Sequence, residues 1–310
     1  MFTRSLNTSL NALRGLPNPR LRPGFGNPGR AKHLLNVRDI ACAGLVLITA
    51  LALTGCFGNF PFTAEESGSQ TVDAPASPRV IVETFNGEIR VSAGAEGKVA
   101  ANWVKRGSGL SQADAEADLQ NVEVTLKAEG DTLRVVARRT DNRTAHNSGA
   151  RFDVNVPAGS TLELRTSNGE VTVRGVTGDV LIDTSNGQIR LDGGQGRLDL
   201  STSNGAIDIT AQEALVNADS SNGSLRFEGS LVEGSHNFST SNGAIVVTLP
   251  AGARFRVSAN TSNGEVTSDF PVTVSGSLRK GELNGAVGEN PGISLSLRSS
   301  NGNIEIRQRK

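Results

Sequence analysis

The sequence has very little of what large mixed cores are built from. It contains no Tyr, one Trp and one Met, and aromatic residues make up 4% of the chain. Gly is abundant, with 36 residues, and Val, Ile, Leu and Thr are spread along the chain. This composition is typical of many short strands joined by tight turns.

The charge balance argues against a nucleic-acid partner. Residues 1–55 hold seven of the 31 basic residues and one of the 31 acidic residues, which leaves 24 basic and 30 acidic residues beyond them. A chain with this formal charge of −6 has no electrostatic reason to bind nucleic acid or an anionic lipid surface.

A short apolar run precedes one of the two Cys residues. Residues 40–53 carry no charge and follow Arg38, a length and flank that predict a signal-peptide core and not a membrane span. The run ends in Leu53-Thr54-Gly55-Cys56, which closely resembles the bacterial lipobox. The resemblance implies that Cys56 receives a diacylglycerol, with cleavage just before it.

This interpretation fixes the expected organisation of the first part of the chain. Residues 1–55 form a signal peptide whose basic n-region is unusually long, or the true start lies downstream of Met1. Residues 56–78 hold the lipidated Cys and a flexible tether. Cys42 leaves with the signal peptide, so no disulfide is expected. Phe57, in place of an Asp, favours an outer membrane over an inner one.

An Asn-Gly pair recurs along most of the remaining chain, and a repeat of this kind defines the architecture. Around the pair the sequence reads TSNGEVTV, TSNGQIRL, TSNGAIDI and close variants. The spacing is 18 residues in the centre and 17 to 21 elsewhere. The Asn residues are Asn86, Asn168, Asn186, Asn204, Asn222, Asn242, Asn263, Asn284 and Asn301.

Apolar residues alternate with polar residues on both sides of each pair, which predicts two strands with one buried face. Asn-Gly between such runs predicts a turn in which both residues take positive φ. A chain of hairpins and a β-solenoid both fit. Stacked identical residues favour the solenoid, with Asn bonding Asn and Thr packing on Thr in about nine coils.

The sequence therefore predicts an all-β fold with a small α+β element near its N-terminal end. Ser111 to Asp114 resembles a capping box that opens a helix through about Leu119, with strands at 122–126 and 133–137. We assign residues 79–160 to N-terminal strands and this cap, and residues 161–310 to the solenoid array. Around Asn284 the repeat is degraded, because Lys280 and Glu282 replace apolar residues or Thr.

The repeat resembles the bacterial putative-adhesin family of β-strand-repeat proteins, a family of unknown function. Its members share the T-S-N-G-x-[IV]-x-[VL] unit and often a V-P-A-G turn, present here at 156–159 and as Leu249-Pro250-Ala251-Gly252. The resemblance spans 80–306. It implies a β-solenoid at the cell surface and carries no catalytic residues.

Little in the sequence indicates catalysis, a cofactor or a metal. His33, His146 and His236 lie 90 or more residues apart from one another, and Trp103 is expected to pack in the cap. The Gly-rich run from Asp192 to Asp199 resembles a calcium-binding repeat, but it occurs once and its second Asp falls one residue late, so we interpret it as a tight turn.

The sequence thus predicts a lipid-anchored envelope protein that is not an enzyme. Its solenoid serves as a scaffold or adhesin-like binding surface for a polysaccharide or a surface protein. Two alternatives remain open: a polysaccharide-processing β-helix enzyme, which needs acids clustered on one face, and an envelope-stress sensor whose cap contacts a partner protein.

Overall fold

The computed structural model describes residues 62–94, 96–141, 147–275 and 279–309. The predicted signal peptide and Leu53, Thr54, Gly55 and Cys56 lie outside these residues, as do His33 and His146. Within the described part, 21 strands and one short helix form a nearly all-β structure. No helix in that part has the length and hydropathy needed to cross a membrane.

The repeat units form two layers of mostly parallel strands, and each unit contributes one strand to each layer. Layer I contains the strands that precede the Asn-Gly turns, and layer II those that follow them. Layer I consists of β2 (Arg79–Thr84), β6 (Thr132–Arg139), β8 (Thr161–Asn168), β10 (Val180–Asn186), the second halves of β11 (Ile189–Thr202) and β12 (Ile207–Ser220), β14 (Gly234–Asn242), β16 (Phe255–Asn263) and β20 (Ile293–Asn301). Layer II consists of β3 (Ile89–Ala93), β7 (Gly149–Val156), β9 (Val171–Arg174), the first halves of β11 and β12, β13 (Leu225–Leu231), β15 (Ile245–Pro250), β17 (Val266–Ser268) and β21 (Ile304–Arg309).

Equivalent residues of successive units stack directly on one another. Asn186 pairs with Asn168 in layer I, and Ile189 pairs with Ile207 in layer II, both in parallel register. A chain of hairpins would have paired these strands antiparallel. The predicted β-solenoid of Asn-Gly repeats is therefore confirmed.

The inward residues of both layers form one hydrophobic core. The alternation in the sequence predicts these inward residues correctly. Ile207 and Val171 are fully buried, and polar residues that alternate with the inward residues of a strand, such as Arg190 and Thr210, point outward. Below each turn the inward position is Thr or Ser, as at Thr202 and Ser220. Large Phe residues also lie in this core, where Phe227 contacts Phe238 with ring centroids 5.8 Å apart.

The coils do not stack in chain order at either end of the solenoid. β2 and β3 lie between the β6–β7 coil and the β8–β9 coil. The C-terminal coil of β20 and β21 lies between the β14–β15 coil and the β16–β17 coil. The boundary expected at residue 160 is therefore not a structural boundary, because the array already begins with the strand at Arg79.

Antiparallel elements cover both ends of the stack. At one end lie β1 (Phe62–Asp73), β4 (Lys98–Gly109), helix α1 (Gln112–Leu119) and β5 (Val122–Glu129), and at the other β18 (Thr273–Val274) and β19 (Glu282–Val287). The predicted capping box is present, since Ser111 Oγ accepts a hydrogen bond from the Asp114 backbone N–H. The predicted strands at 122–126 and 133–137 lie within β5 and β6.

The tether assignment needs a correction. Residues 62–73 of the stretch assigned to a flexible tether form β1, which pairs antiparallel with the whole of β4. The composition is polar, but β4 provides a long row of backbone partners. Ala64 is buried against Ala115 and Leu119 of α1, and Gly68 leaves room for the Trp103 ring, which would lie 2.6 Å from a Cβ at that position. Trp103 thus packs in the cap, as expected.

Candidate binding surface

The Asn residues of the repeat form a hydrogen-bonded ladder along one edge of the solenoid. Each side-chain Nδ2 donates to Oδ1 of the Asn in the neighbouring coil: Asn186 to Asn168 at 2.8 Å, and Asn204 to Asn186 at 2.8 Å. The series continues in spatial order through Asn222, Asn242, Asn301 and Asn263, at 2.8 to 2.9 Å.

Two of the nine predicted Asn residues lie outside this ladder. Asn86 is at the corresponding turn, but its Nδ2 donates to the Ser148 backbone oxygen at 3.1 Å. Asn284 is not at a turn: it lies within β19, which runs antiparallel to β16, and it donates to Glu282 Oε1 at 2.8 Å. The polar residues Lys280 and Glu282 do not fit the inward positions of a coil, and this segment covers the end of the stack instead.

The Gly after each Asn is required by stacking and not by positive φ, which corrects the prediction. Of the eight turn glycines in the stack, only Gly87 takes a positive φ, at 148°. A Cβ on Gly205 would instead lie 2.0 Å from the carbonyl oxygen of Gly187 in the next coil. The same carbonyl oxygen accepts a hydrogen bond from the Thr202 hydroxyl at 3.0 Å.

The buried Thr or Ser two residues before each Asn therefore bonds to a neighbouring coil. Thr240 Oγ1 donates to Gly223 O at 2.9 Å and Thr261 Oγ1 to Gly302 O at 2.8 Å. Thr184 differs, because its buried hydroxyl has no hydrogen-bond partner. Sequence reasoning predicted only Thr packing on Thr and missed this bond, although the nearly invariant T-S-N-G text was its signal.

Next to the Asn ladder, the outward face of layer I carries a polar strip made of a row of serines and a second row of Ser, Asn and charged residues. We call it the serine strip and define it by two rows. The row adjacent to the ladder contains, in spatial order, Ser167, Ser185, Ser203, Ser221, Ser241, Ser300 and Ser262, all exposed. The second row contains Arg165, Asp183, Ser201, Asp219, Ser239, Arg298 and Asn260.

The serine strip deepens into a cavity at each end of the solenoid. The first, of about 370 Å³, is lined by Glu83, Phe85, Arg138 and Arg165 among others. The second, of about 510 Å³, lies where β19 covers the stack, and Ser239, Ser258, Arg298, Asn260 and Glu282 line it. Between the two cavities the strip carries serines and Asp219.

The two cavities differ in how the arginine of the second row, Arg165 or Arg298, is neutralised. In the first, the Arg165 guanidinium lies 2.7 Å from Glu163 Oε1 and 3.6 Å from Glu83 Oε1. In the second, Arg298 forms no ion pair or hydrogen bond with any residue of the described structure. Glu282 bonds Asn284 and lies 4.0 Å from Arg279 Nη1.

Layer II presents a different surface, on which opposite charges alternate. Arg190, Asp208 and Arg226 stack in register, and Arg226 Nη1 lies 3.8 Å from Asp208 Oδ1. Arg190 also pairs with Glu170 at 2.7 Å. This mutual neutralisation stabilises neighbouring coils and leaves no stripe of a single charge.

His236, the one His within the described residues, is buried among structural partners. Within the described residues, no three His, Cys, Asp or Glu side chains come together to hold a metal ion. His236 is 1% exposed; its Nδ1 accepts from the Val216 N–H at 3.2 Å, and its Nε2 lies 2.9 Å from Val232 O. Burial lowers the pKa of His236, although the bond to Val232 opposes this effect.

The Gly-rich run from Asp192 to Asp199 is a turn in the middle of β11. Gly193 and Gly196 take φ values of 78° and 70°, and the register shifts between Asp192 and Gly196 as the strand passes from layer II to layer I. The Arg197 backbone N–H donates to Asp179 of the neighbouring coil at 2.8 Å. This arrangement agrees with the interpretation as a tight turn.

The cap contains a buried ionic network. Arg139 contacts Asp118 and Asp141, both at 2.7 Å, and donates to the Ser148 hydroxyl at 2.6 Å. Burial by itself would raise the pKa of Asp118, but the hydrogen bonds from Arg139, Ser148 and the Ser108 N–H, together with the Arg139 charge, lower it overall. The network joins α1 to β6 and has a structural role.

Parallel coils, a stacked Asn-Gly edge and a polar outer face define a β-solenoid of the repeat type. The chain belongs to the Toastrack DUF4097 family, whose model matches residues 79–307. The resemblance drawn from the T-S-N-G units is confirmed by this match. No curated protein matches the chain.

Several crystal structures are similar to this chain. One is a putative cell adhesion protein from Clostridium sporogenes, at 12% identity, 79% coverage of this chain, 100% of that chain and a TM-score of 0.36. Another is a putative adhesin from Parabacteroides merdae, at 10% identity, 79% and 96% coverage and a TM-score of 0.33. A third is a putative lipid binding protein from Parabacteroides distasonis, at 11% identity, 77% and 96% coverage and a TM-score of 0.35.

Proposed function

We propose that this protein is a lipid-anchored scaffold of the cell envelope whose serine strip is a non-catalytic binding surface for a polysaccharide. One observation carries the proposal: seven exposed Ser and seven ladder Asn repeat along one edge without interruption. At about 4.8 Å per coil, this edge is roughly 30 Å long.

The chemistry of the strip suits a polymer that is rich in hydroxyl groups. Ser hydroxyls donate and accept, and each ladder Asn has donor and acceptor capacity beyond its bonds to its neighbours. In the central coils the flanking residues are small, including Ser201, Ser239, Ala206 and Ala244, so a chain can lie close to the backbone. Repetition of weak contacts then gives affinity through multivalency.

The location follows from the lipobox at Leu53-Thr54-Gly55-Cys56 and the acidic remainder of the chain. We propose attachment of two or more acyl chains at Cys56, which gives stable anchoring where a single chain does not. The anchored protein would lie at the outer membrane or the cell surface, without nucleic-acid partners. A Cys56→Ser variant should stay unprocessed and lose its lipid, as mass spectrometry of the extracted protein would show.

The test of binding uses the full chain, purified in detergent, and a panel of peptidoglycan and bacterial and host polysaccharides. Retention on at least one polysaccharide, without new reducing or unsaturated ends, is the expected outcome. Ser203→Glu should weaken this retention at least tenfold. Thr210→Glu adds the same charge to layer II of the same coil and should leave retention unchanged. Equal behaviour of the two variants, or no retention on any polysaccharide, contradicts the proposal.

A second candidate function is polysaccharide hydrolysis, which two carboxylates in the serine strip favour. Asp183 and Asp219 occupy the same row with Ser201 between them, so their Cα atoms lie about 9.6 Å apart at the solenoid spacing. Burial raises the pKa of Asp219, although a hydrogen bond from Ser239 opposes this effect, and a general acid needs such a raised pKa. Inverting glycosidases separate their carboxyl groups by about 6.5–9.5 Å. Release of new ends that an Asp219→Asn variant abolishes would establish this activity.

A further inference from the structure

The larger cavity differs from the smaller one in its second-row arginine, which has no ion pair among the described residues. It has a volume of about 510 Å³ and lies between β14, β20, β16 and β19. Ser239, Ser241, Ser258 and Ser300 contribute hydroxyl groups to its lining, and Asn260 contributes an amide. No Phe or Trp lines it, so a ligand would be held by polar contacts and not by stacking on a ring.

Arg298 is the cation of this cavity, and the described structure gives it no counter-ion. It lies between Ser239 and Asn260 in the second row of the strip, in register with both. Glu282 is two strands away, since Asn260 pairs with Arg298 on one side and with Glu282 on the other. At about 4.8 Å per strand, this places the Glu282 and Arg298 Cα atoms roughly 9.6 Å apart.

We infer that this cavity binds an anionic sugar residue, with its carboxylate or phosphate on the Arg298 guanidinium and its hydroxyls on the surrounding serines. The inference rests on the proposed function and names the class of residue that the strip selects at this end. A guanidinium presents a planar fork of donors that matches a carboxylate or a phosphate in bidentate geometry. The serine hydroxyls rotate to donate or accept, as the sugar hydroxyls require.

The other end of the strip supplies the matched comparison. Arg165 occupies the same row in the smaller cavity, but Glu163 and Glu83 already neutralise it. An anion at that position would have to displace both carboxylates, whereas at Arg298 it displaces only water. Arg138 also lines the smaller cavity and has no ion pair within the described residues, so the comparison applies to the two arginines of the second row. Arg298 should therefore contribute more than Arg165 to the distinction between an acidic sugar and its neutral counterpart.

The experiment measures binding to the detergent-purified full chain by titration calorimetry. The probes are a galacturonate trisaccharide, its fully methyl-esterified form and glucose 6-phosphate. The free acid should bind at least tenfold more tightly than the ester. Arg298→Gln should remove this difference, Arg298→Lys should keep part of it, and Arg165→Gln should leave it intact. Binding of glucose 6-phosphate alone would identify the anion as a phosphate.

Equal binding of acid and ester without binding of glucose 6-phosphate, or an unchanged difference in Arg298→Gln, overturns the inference. In that case, polysaccharide retention that Ser203→Glu still weakens would show that the proposed function holds without it. Failure of every probe and every polysaccharide would remove both. Each variant should melt within a few degrees of the parent chain, because Arg298 and Arg165 are exposed.

Discussion

At the scale of single residues, the turn Gly is required by the close approach of the neighbouring coil. Asn-Gly favours positive φ in hairpins, but here the Gly lies under a carbonyl oxygen of the next coil. Parallel stacking brings identical turns into contact, and only a residue without a Cβ allows this approach. The pattern in the sequence was correct, while the physical reason depends on the neighbouring coil.

This cause predicts that Gly205→Ala destabilises the fold. The new Cβ would lie 2.0 Å from Gly187 O, so the two coils must separate or the turn must distort. Overpacking of this kind costs about 1–3 kcal/mol. Gly252→Ala is the control, because nothing lies within 4 Å of its Cβ and its φ is not positive. Urea unfolding should show a lower midpoint for the first variant alone, and equal midpoints would contradict the stacking argument.

A second residue-scale prediction concerns pH. Both ring nitrogens of His236 are bonded in the neutral form, and burial lowers the pKa of His236 below its ordinary value of about 6.5. The folded chain therefore binds fewer protons than the unfolded chain just below pH 6.5, so stability should fall as pH decreases through this range. The contribution is complete above pH 6.5, and its loss is about 1.4 kcal/mol for each pH unit until the folded pKa is reached.

The measurement compares unfolding midpoints between pH 7.5 and 5.5 for the parent chain and for His236→Leu. The variant loses two hydrogen bonds and should be less stable at pH 7.5. Its midpoint should depend less on pH, because the titrating ring is gone. If both chains show the same pH dependence, His236 is not the group responsible.

At the scale of strands and coils, the T-S-N-G unit functions as a joint between neighbouring coils. The Asn amide, the Gly backbone and the Thr hydroxyl each contact the next coil. Two threonines in equivalent positions allow the hydroxyl bond to be tested. Thr202 donates to Gly187 O at 3.0 Å, whereas the buried Thr184 hydroxyl has no partner.

Replacement by Val should therefore affect the two sites differently. Thr202→Val removes the hydroxyl donor to the Gly187 carbonyl oxygen, which should lower the free energy of unfolding by about 1–3 kcal/mol. Thr184→Val removes a buried hydroxyl that bonds nothing, so stability should stay the same or rise. Urea unfolding of the two variants provides the comparison. Equal losses would mean that volume and shape, and not the hydrogen bond, determine the choice of Thr.

The period of the sequence pattern predicts which residues of each strand point inward. The order of the units in the chain does not predict the order in which the coils stack. The inward positions, helix α1 and the stacked charges of Arg190, Asp208 and Arg226 agree with the sequence pattern, because each depends on local alternation or spacing. The position of the last coil depends on competition between coils. The residue that could have indicated this position is Ser268. It occupies an inward position that is apolar in most units, and it is only half-buried at the end of layer II.

Strand β1 and the serine strip were missed for a similar reason. Nothing in the polar stretch of residues 62–73 indicates a strand until β4 supplies a backbone partner. The outward Ser of T-S-N-G is visible in every unit, but the unbroken row requires the C-terminal coil to insert between two others and place Ser300 between Ser241 and Ser262.

At the scale of the whole molecule, insertion of the C-terminal coil links two parts of the solenoid that have no other parallel pairing across this point. β20 pairs with β14 on one side and with β16 on the other, while β21 pairs with β15 and β17. The coil formed by residues 255–268 precedes residues 293–309 in the chain, and it pairs with the stack through them. Ile304 and Ile306, the inward residues of β21, are fully buried between two coils. The equivalent inward residue of β17 is Ser268, which is half-buried at the end of the stack.

Deletion of residues 293–310 should therefore do more than remove one coil. The strands β14 and β16 would each expose an unpaired edge, and residues 255–287 would lose their attachment to the stack. We expect limited proteolysis to cut within residues 255–287 while the coils from Arg79 to Pro250 stay protected. A synthetic peptide of residues 293–310 added in trans should restore protection, because both neighbouring coils supply its pairing partners. If the truncated chain instead resists the protease and melts as the full chain does, the two coils pair directly and the inserted coil is not what connects them.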